Sequence, residues 1–79
     1  MRNILEVIDQ ILNQIPQDFD DKIYLTQELQ SIRESYIYSS PEGANYWWLQ
    51  ISHTLITFLK KPDTDWKKNI LNLFSGNIN

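Results

Sequence analysis

Hydrophobic residues in the first fifteen positions recur at steps of three and four, the spacing that places side chains on one face of an α-helix. These positions hold Ile4, Leu5, Ile8, Ile11, Leu12 and Ile15, and the opposite side holds Asn3, Glu6, Gln10 and Asn13. Pro16 disfavours helical geometry in the residue before it, so the helix is expected to end there. The pattern predicts a first helix over residues 2–15.

A second apolar stripe follows a short acidic turn. It consists of Leu25, Leu29, Ile32 and Tyr36 and predicts a helix over residues 21–38. Asp20 or Asp21 is expected to cap its start, because a carboxylate there accepts bonds from free N–H groups and complements the helix dipole. Phe19, in the turn, is expected to fold back onto the core as a plug.

The third predicted helix follows the clearest boundary in the chain, Ser39-Ser40-Pro41-Glu42, which combines a serine cap, a proline and an early glutamate. It covers residues 41–60, and residues 43–59 carry no charge. Trp48 is assigned to the core, and Trp47 either to the core or to an interface. Leu49 and Ile56 add a further apolar strip, so this helix is expected to lie between neighbours.

A short fourth helix is predicted over residues 64–75. Pro62 precedes it, Gly76 is placed to end it, and its inner face consists of Trp66, Ile70, Leu73 and Phe74. No repeat or linker interrupts the chain, and short loops favour antiparallel neighbours. The predicted fold is therefore all-α, a compact four-helix bundle forming a single domain over residues 1–79.

The composition limits the classes of function. The chain has 79 residues, no cysteine, one histidine and a net charge of −3. Residues 1–42 have a charge balance of −5, which would repel nucleic acid phosphates, and residues 43–79 a balance of +2 without any arginine. No secretory signal or membrane span fits the pattern. We expect a soluble, cytoplasmic bacterial protein that binds neither nucleic acid nor membranes.

Residues able to carry out catalysis are scarce. His53 has no second histidine or cysteine to complete a metal site, and the paired carboxylates fall at predicted helix starts, where capping explains them. Gly43 and Gly76 are the only glycines, so no phosphate-binding loop exists. A core that needs every large side chain should also leave little volume for a ligand pocket. We expect no enzyme, no cofactor and no metal.

The feature that best indicates a function is an acidic edge on the first two helices. Carboxylates interleaved with tyrosines suit a basic protein surface, because charge steers the encounter and rigid rings supply contact area. The alternative is a solvated face whose tyrosines flank a neighbouring helix. The candidate partner-binding residues are Asp18, Asp20, Asp21, Tyr24, Glu28, Glu34, Tyr38 and Glu42.

The order of these elements resembles small helical immunity proteins of bacterial polymorphic toxin and contact-dependent growth inhibition systems. The resemblance covers residues 1–60 and is sharpest at Tyr36-Ile37-Tyr38-Ser39-Ser40-Pro41-Glu42 followed by Trp47-Trp48. It implies a stoichiometric inhibitor that binds and neutralises a toxin, such as a nuclease with a basic cleft. The alternatives are a phage-encoded inhibitor of a host defence protein and a homo-oligomeric module joined through Trp47, Leu49 and Ile56.

Overall fold

Four α-helices form the fold in a computed structural model that describes residues 3–39 and 44–76. They are α1 (Ile4–Gln14), α2 (Lys22–Ser39), α3 (Ala44–Leu59) and α4 (Asp65–Ser75), and the described ranges contain no strand. The predicted all-α four-helix fold is confirmed. The bounds of α1, α2 and α4 lie within two residues of the predicted ones, whereas the predicted start of α3 at Pro41 lies outside the described residues.

The side chain of Asn3 sets the start of α1. Its Oδ1 accepts the backbone N–H of Leu5 at 2.8 Å, which satisfies one of the free donors of the first turn. This cap explains why the helix begins at Ile4. At the other end, Ile15 has an extended backbone, as expected before Pro16.

The core is built from one face of each helix. Its buried members are Ile4, Val7, Ile8, Ile11, Ile15, Leu25, Leu29, Ile32, Trp47, Trp48, Ile51, Leu55, Leu59, Ile70 and Phe74. Val7 is fully buried although the predicted stripe of α1 omitted it, while Leu5 and Leu12 are only partly buried. The buried face of α1 is therefore rotated slightly from the predicted one, toward Val7.

Both tryptophans of α3 belong to the core, each 7% exposed. The Trp47 ring meets Tyr36 of α2 edge to face, with ring centroids 5.8 Å apart, and Trp48 meets Phe74 of α4 at 5.7 Å. Adjacent residues on a helix point about 100° apart, so α3 must have neighbours on two sides to bury both. This settles Trp47 as a core residue.

α3 lies between α2 and α4, as expected, but the further apolar strip that Leu49 and Ile56 add to it is open. Leu49 is 59% exposed and Ile56 66% exposed. The two tryptophans direct their packing toward α2 and α4, whereas Leu49 and Ile56, seven positions apart on α3, are both exposed. Trp47 is buried and does not belong to this strip, so the predicted self-association surface of Trp47, Leu49 and Ile56 is wrong in including Trp47.

Phe19 plugs the core beside the start of α4, as expected. Its ring meets Trp66 edge to face at 4.9 Å, and the Lys67 Nζ lies 5.8 Å from the Phe19 ring centre and 5.7 Å from that of Trp66. Lys67 also binds the Asp63 carboxylate at 3.1 Å. That hydrogen bond, reinforced by the lysine charge, lowers the pKa of the Asp63 carboxyl from its ordinary value of 3.8.

The end of α3 places a lysine in the left-handed region of backbone space. Lys60 has φ of 53°, and its N–H donates to the Ile56 carbonyl at 3.2 Å. This single bond closes the last turn in the arrangement that usually carries glycine just past a helix end. The chain then reverses through Pro62 into α4.

Candidate functional site

The two cations of α2 are both engaged on the side of the helix that faces α1. Lys22 donates from Nζ to the Ile15 carbonyl at 3.1 Å, and the Nε of Arg33 binds the Asp9 carboxylate at 3.1 Å. Within the described residues, the ion pairs are Asp9–Arg33 and Asp63–Lys67. Glu28 and Glu34, both exposed, have no cation among those residues to neutralise them.

Two tyrosines stand on the same outward surface of α2. Tyr24 is 62% exposed and Tyr38 is 85% exposed, so neither flanks a neighbouring helix as the alternative interpretation had it. Their positions lie roughly a third of a turn from the buried stripe. Each is four residues from a glutamate, Tyr24 from Glu28 and Tyr38 from Glu34, and residues at this spacing are neighbours on a helix surface. An exposed ring therefore lies beside a carboxylate near each end of the outward surface, Tyr24 beside Glu28 and Tyr38 beside Glu34.

The acidic turn before α2 forms a separate part of the surface. Asp18 and Asp20 line an open depression of about 610 Å³ together with Phe19, Lys22 and Ile23. Both carboxylates are exposed. This depression lies at the start of α2 and is lined there by Ile23, Thr26 and Gln27, so its acids are separate from the tyrosines and glutamates of the outward surface.

Asp21 belongs to a different depression, of about 370 Å³, which it shares with Lys60, Lys61, Asp63 and Lys67. The three lysines there offset its charge. The predicted acidic edge is therefore not a single surface, because the turn sends Asp21 toward the end of α3 and keeps Asp18 and Asp20 on the other side. Glu42, the last predicted member of the edge, lies outside the described residues.

A third depression, of about 360 Å³, lies between α2 and α3. Glu28 forms its wall on α2, and the wall on α3 consists of Gln50, His53, Thr54, Thr57 and Phe58. The hydroxyl of Thr57 donates to the His53 carbonyl one turn earlier at 2.8 Å, so it is satisfied within its own helix. We call this depression the α2–α3 cleft. The sequence analysis did not join Glu28 to α3, although antiparallel pairing of the two helices brings residues near 28 and 54 together.

These depressions qualify one argument made from the sequence, namely that the bundle would leave little volume for a ligand pocket. The large side chains do fill the core, but short helices joined by turns leave open grooves at the surface. Their residues offer few catalytic groups. His53 is exposed and shares its cleft with one carboxylate, that of Glu28. In residues 3–39 and 44–76, no three His, Asp or Glu side chains come together as metal ligands would.

Comparison of the chain with protein-family models, with curated proteins and with solved structures found no match in any of the three. Among the helices of the described ranges, none combines the length and apolar character that a membrane crossing requires.

Proposed function

We propose that this protein is a stoichiometric inhibitor of another protein, of the kind that immunity proteins provide against bacterial toxins. The observation that carries the proposal is the division of charge on α2. Its cations, Lys22 and Arg33, are engaged toward α1, and Glu28, Glu34 and exposed tyrosines remain on the outward surface. Ordinary solvated helices mix both signs of charge, whereas a single sign with exposed aromatic rings favours a basic partner.

The partner best suited to such a surface is a toxin with a basic cleft, for example a nuclease. A nuclease neutralises phosphates with lysine and arginine. An acidic surface placed over that cleft attracts the same residues and excludes the nucleic acid. Inhibition then needs no catalytic group in the inhibitor, in keeping with the scarcity of such groups here.

A pull-down from the native host, with the tagged chain as bait, tests the proposal. We expect a toxin domain among the specific partners, encoded beside this gene, and restored growth when both are expressed together. A neighbouring phage gene cluster and a host defence protein in the pull-down would identify the phage-inhibitor variant. Recovery of no specific protein partner would contradict the whole proposal.

Charge reversal in the turn gives a kinetic test with the captured partner. Asp20→Lys should slow association more than it speeds dissociation, and added salt should remove the difference, because long-range steering is screened. Asp21→Lys should have a smaller effect, because lysines surround that position. Glu6→Lys, which makes the same change in charge at an exposed position on α1, is the control. Equal effects at all three positions would show that only net charge matters.

A self-associating module is the second candidate, favoured by the exposed strip of Leu49 and Ile56 on α3. Exposed apolar area of this kind is often covered by a second subunit. Light scattering over a concentration series tests it: a dimer that Leu49→Glu dissociates would support this function, and a monomer at high concentration would remove it.

A further inference from the structure

We propose that an arginine side chain of the partner protein binds at the edge of the α2–α3 cleft, with the Glu28 carboxylate of the cleft as ion-pair acceptor and the ring of Tyr24, which lies outside the cleft lining one turn earlier on α2, as stacking surface. The inference rests on the proposed function and deepens it, because it gives the acidic surface a specific contact and names the residue type that makes it. The partner is a protein with a basic surface.

The positions of Tyr24 and Glu28 fit one guanidinium group. The two residues are separated by one turn of α2, which places their Cβ atoms about 5–6 Å apart. Both side chains are exposed, and the Tyr24 ring takes part in none of the ring contacts found among the described residues. A group lying over the ring is therefore within reach of the carboxylate.

The opposite wall of the cleft is polar but not cationic. Gln50, His53 and Thr57 come from α3, and the residues lining the cleft include no lysine or arginine. The depression beside Asp18 and Asp20 includes Lys22, and the one beside Asp21 includes three lysines. Of these three depressions, the cleft is the one that holds a carboxylate and no lysine or arginine, so an incoming cation meets no like charge among its lining residues.

The chemistry of the cleft favours arginine over lysine. The guanidinium group is planar, stacks on aromatic rings and presents a fork of donors that matches a carboxylate. A lysine ammonium is a compact, strongly hydrated charge that forms ion pairs with less directional preference. A preference for arginine over lysine would therefore distinguish this contact from simple attraction of any cation to the negative charge of the protein.

NMR titration of the full chain with a capped Leu-Arg-Leu peptide, and with capped Leu-Lys-Leu, tests the inference without prior identification of the partner. We expect the arginine peptide to shift the amide signals of Tyr24, Glu28 and His53 and to bind more tightly than the lysine peptide. Glu28→Gln should weaken arginine binding by about two- to fivefold, the range for an exposed ion pair. Tyr24→Ala should weaken it by about three- to fivefold, as for an exposed cation–π contact.

Glu6→Gln is the matched control, because it removes one exposed carboxylate from α1 and leaves the cleft intact. It should change binding of the arginine peptide by less than Glu28→Gln or Tyr24→Ala does. Three outcomes would overturn the inference: no binding, signals that shift mainly around Asp18 and Asp20, or equal binding of both peptides with equal loss in Glu6→Gln and Glu28→Gln. If the host pull-down yields a toxin, the proposed function stands even when one of these three outcomes is observed. A pull-down without a partner would contradict that function whatever the titration shows.

Discussion

Replacing Trp48 with alanine tests the central packing of the fold. The side chain is 7% exposed and packs against Phe74 of α4 with ring centroids 5.7 Å apart. Truncating a buried tryptophan to alanine costs about 3–5 kcal/mol in free energy of unfolding, from lost apolar burial and the cavity left behind. Native domains have about 5–15 kcal/mol in all, and small ones lie toward the low end. We therefore expect Trp48→Ala to be largely unfolded or close to it.

The neighbouring residue supplies the control. Leu49 follows Trp48 on the same helix but is 59% exposed, so Leu49→Ala should change the free energy of unfolding by less than about 0.5 kcal/mol. Urea denaturation followed by far-UV circular dichroism measures both variants. The two variants should differ by about 2.5 kcal/mol or more, because the Trp48 side chain is larger and buried whereas that of Leu49 is exposed.

Smaller substitutions at Trp48 and Phe74 allow the packing energy to be measured if Trp48→Ala does not fold. Trp48→Leu, Phe74→Leu and the double variant form a cycle, whose coupling energy should be about 0.5–1.5 kcal/mol for an edge-to-face aromatic pair. A folded Trp48→Ala with an unchanged denaturation midpoint would refute the core assignment. If that variant also failed to bind the partner, the tryptophan would have to be reassigned to the binding surface.

Three further predictions concern the turn after α3, the start of α4 and the lone histidine. Lys60→Gly should raise the free energy of unfolding by about 1 kcal/mol, because glycine adopts the left-handed region without steric cost, and denaturation should show no such gain for Lys61→Gly. The lowered pKa of Asp63 means that its ionised form stabilises the fold at neutral pH. This contribution should be complete above about pH 4 and should disappear as the pH falls through the lowered pKa. Acid titrations of the native chain and of Asp63→Asn should therefore differ at pH values above the lowered pKa and agree below it. His53→Ala should change the free energy of unfolding by less than about 0.5 kcal/mol, as for an exposed residue. Loss of inhibition in a variant that still folds and binds the partner would contradict the expectation that the protein is not an enzyme.

The sequence was sufficient to predict the helices and most of the core, because the three- and four-residue spacing of apolar residues determines both. It did not determine how far each helix is rotated about its axis. Val7 is buried and Leu49 exposed, although both are apolar residues beside a predicted stripe. The rotation depends on which neighbours a helix packs against, and the tryptophans of α3 set it here by directing that helix toward α2 and α4.

Which residues belong to the candidate surface also depends on how far α2 is rotated about its axis. The tyrosines of α2 illustrate this. Tyr36 and Tyr38 are two residues apart, so they point about 200° apart around the helix. Tyr36 packs its ring against Trp47, whereas Tyr38 is 85% exposed. Tyrosine suits either place, because its ring can be buried and its hydroxyl hydrated. Its presence in the sequence therefore left packing and recognition equally open for Tyr24 and Tyr38. Both rings are exposed in the fold, which excludes burial against a neighbouring helix, and an exposed ring four residues from an unpaired glutamate is the arrangement on which the proposed contact with a basic partner rests.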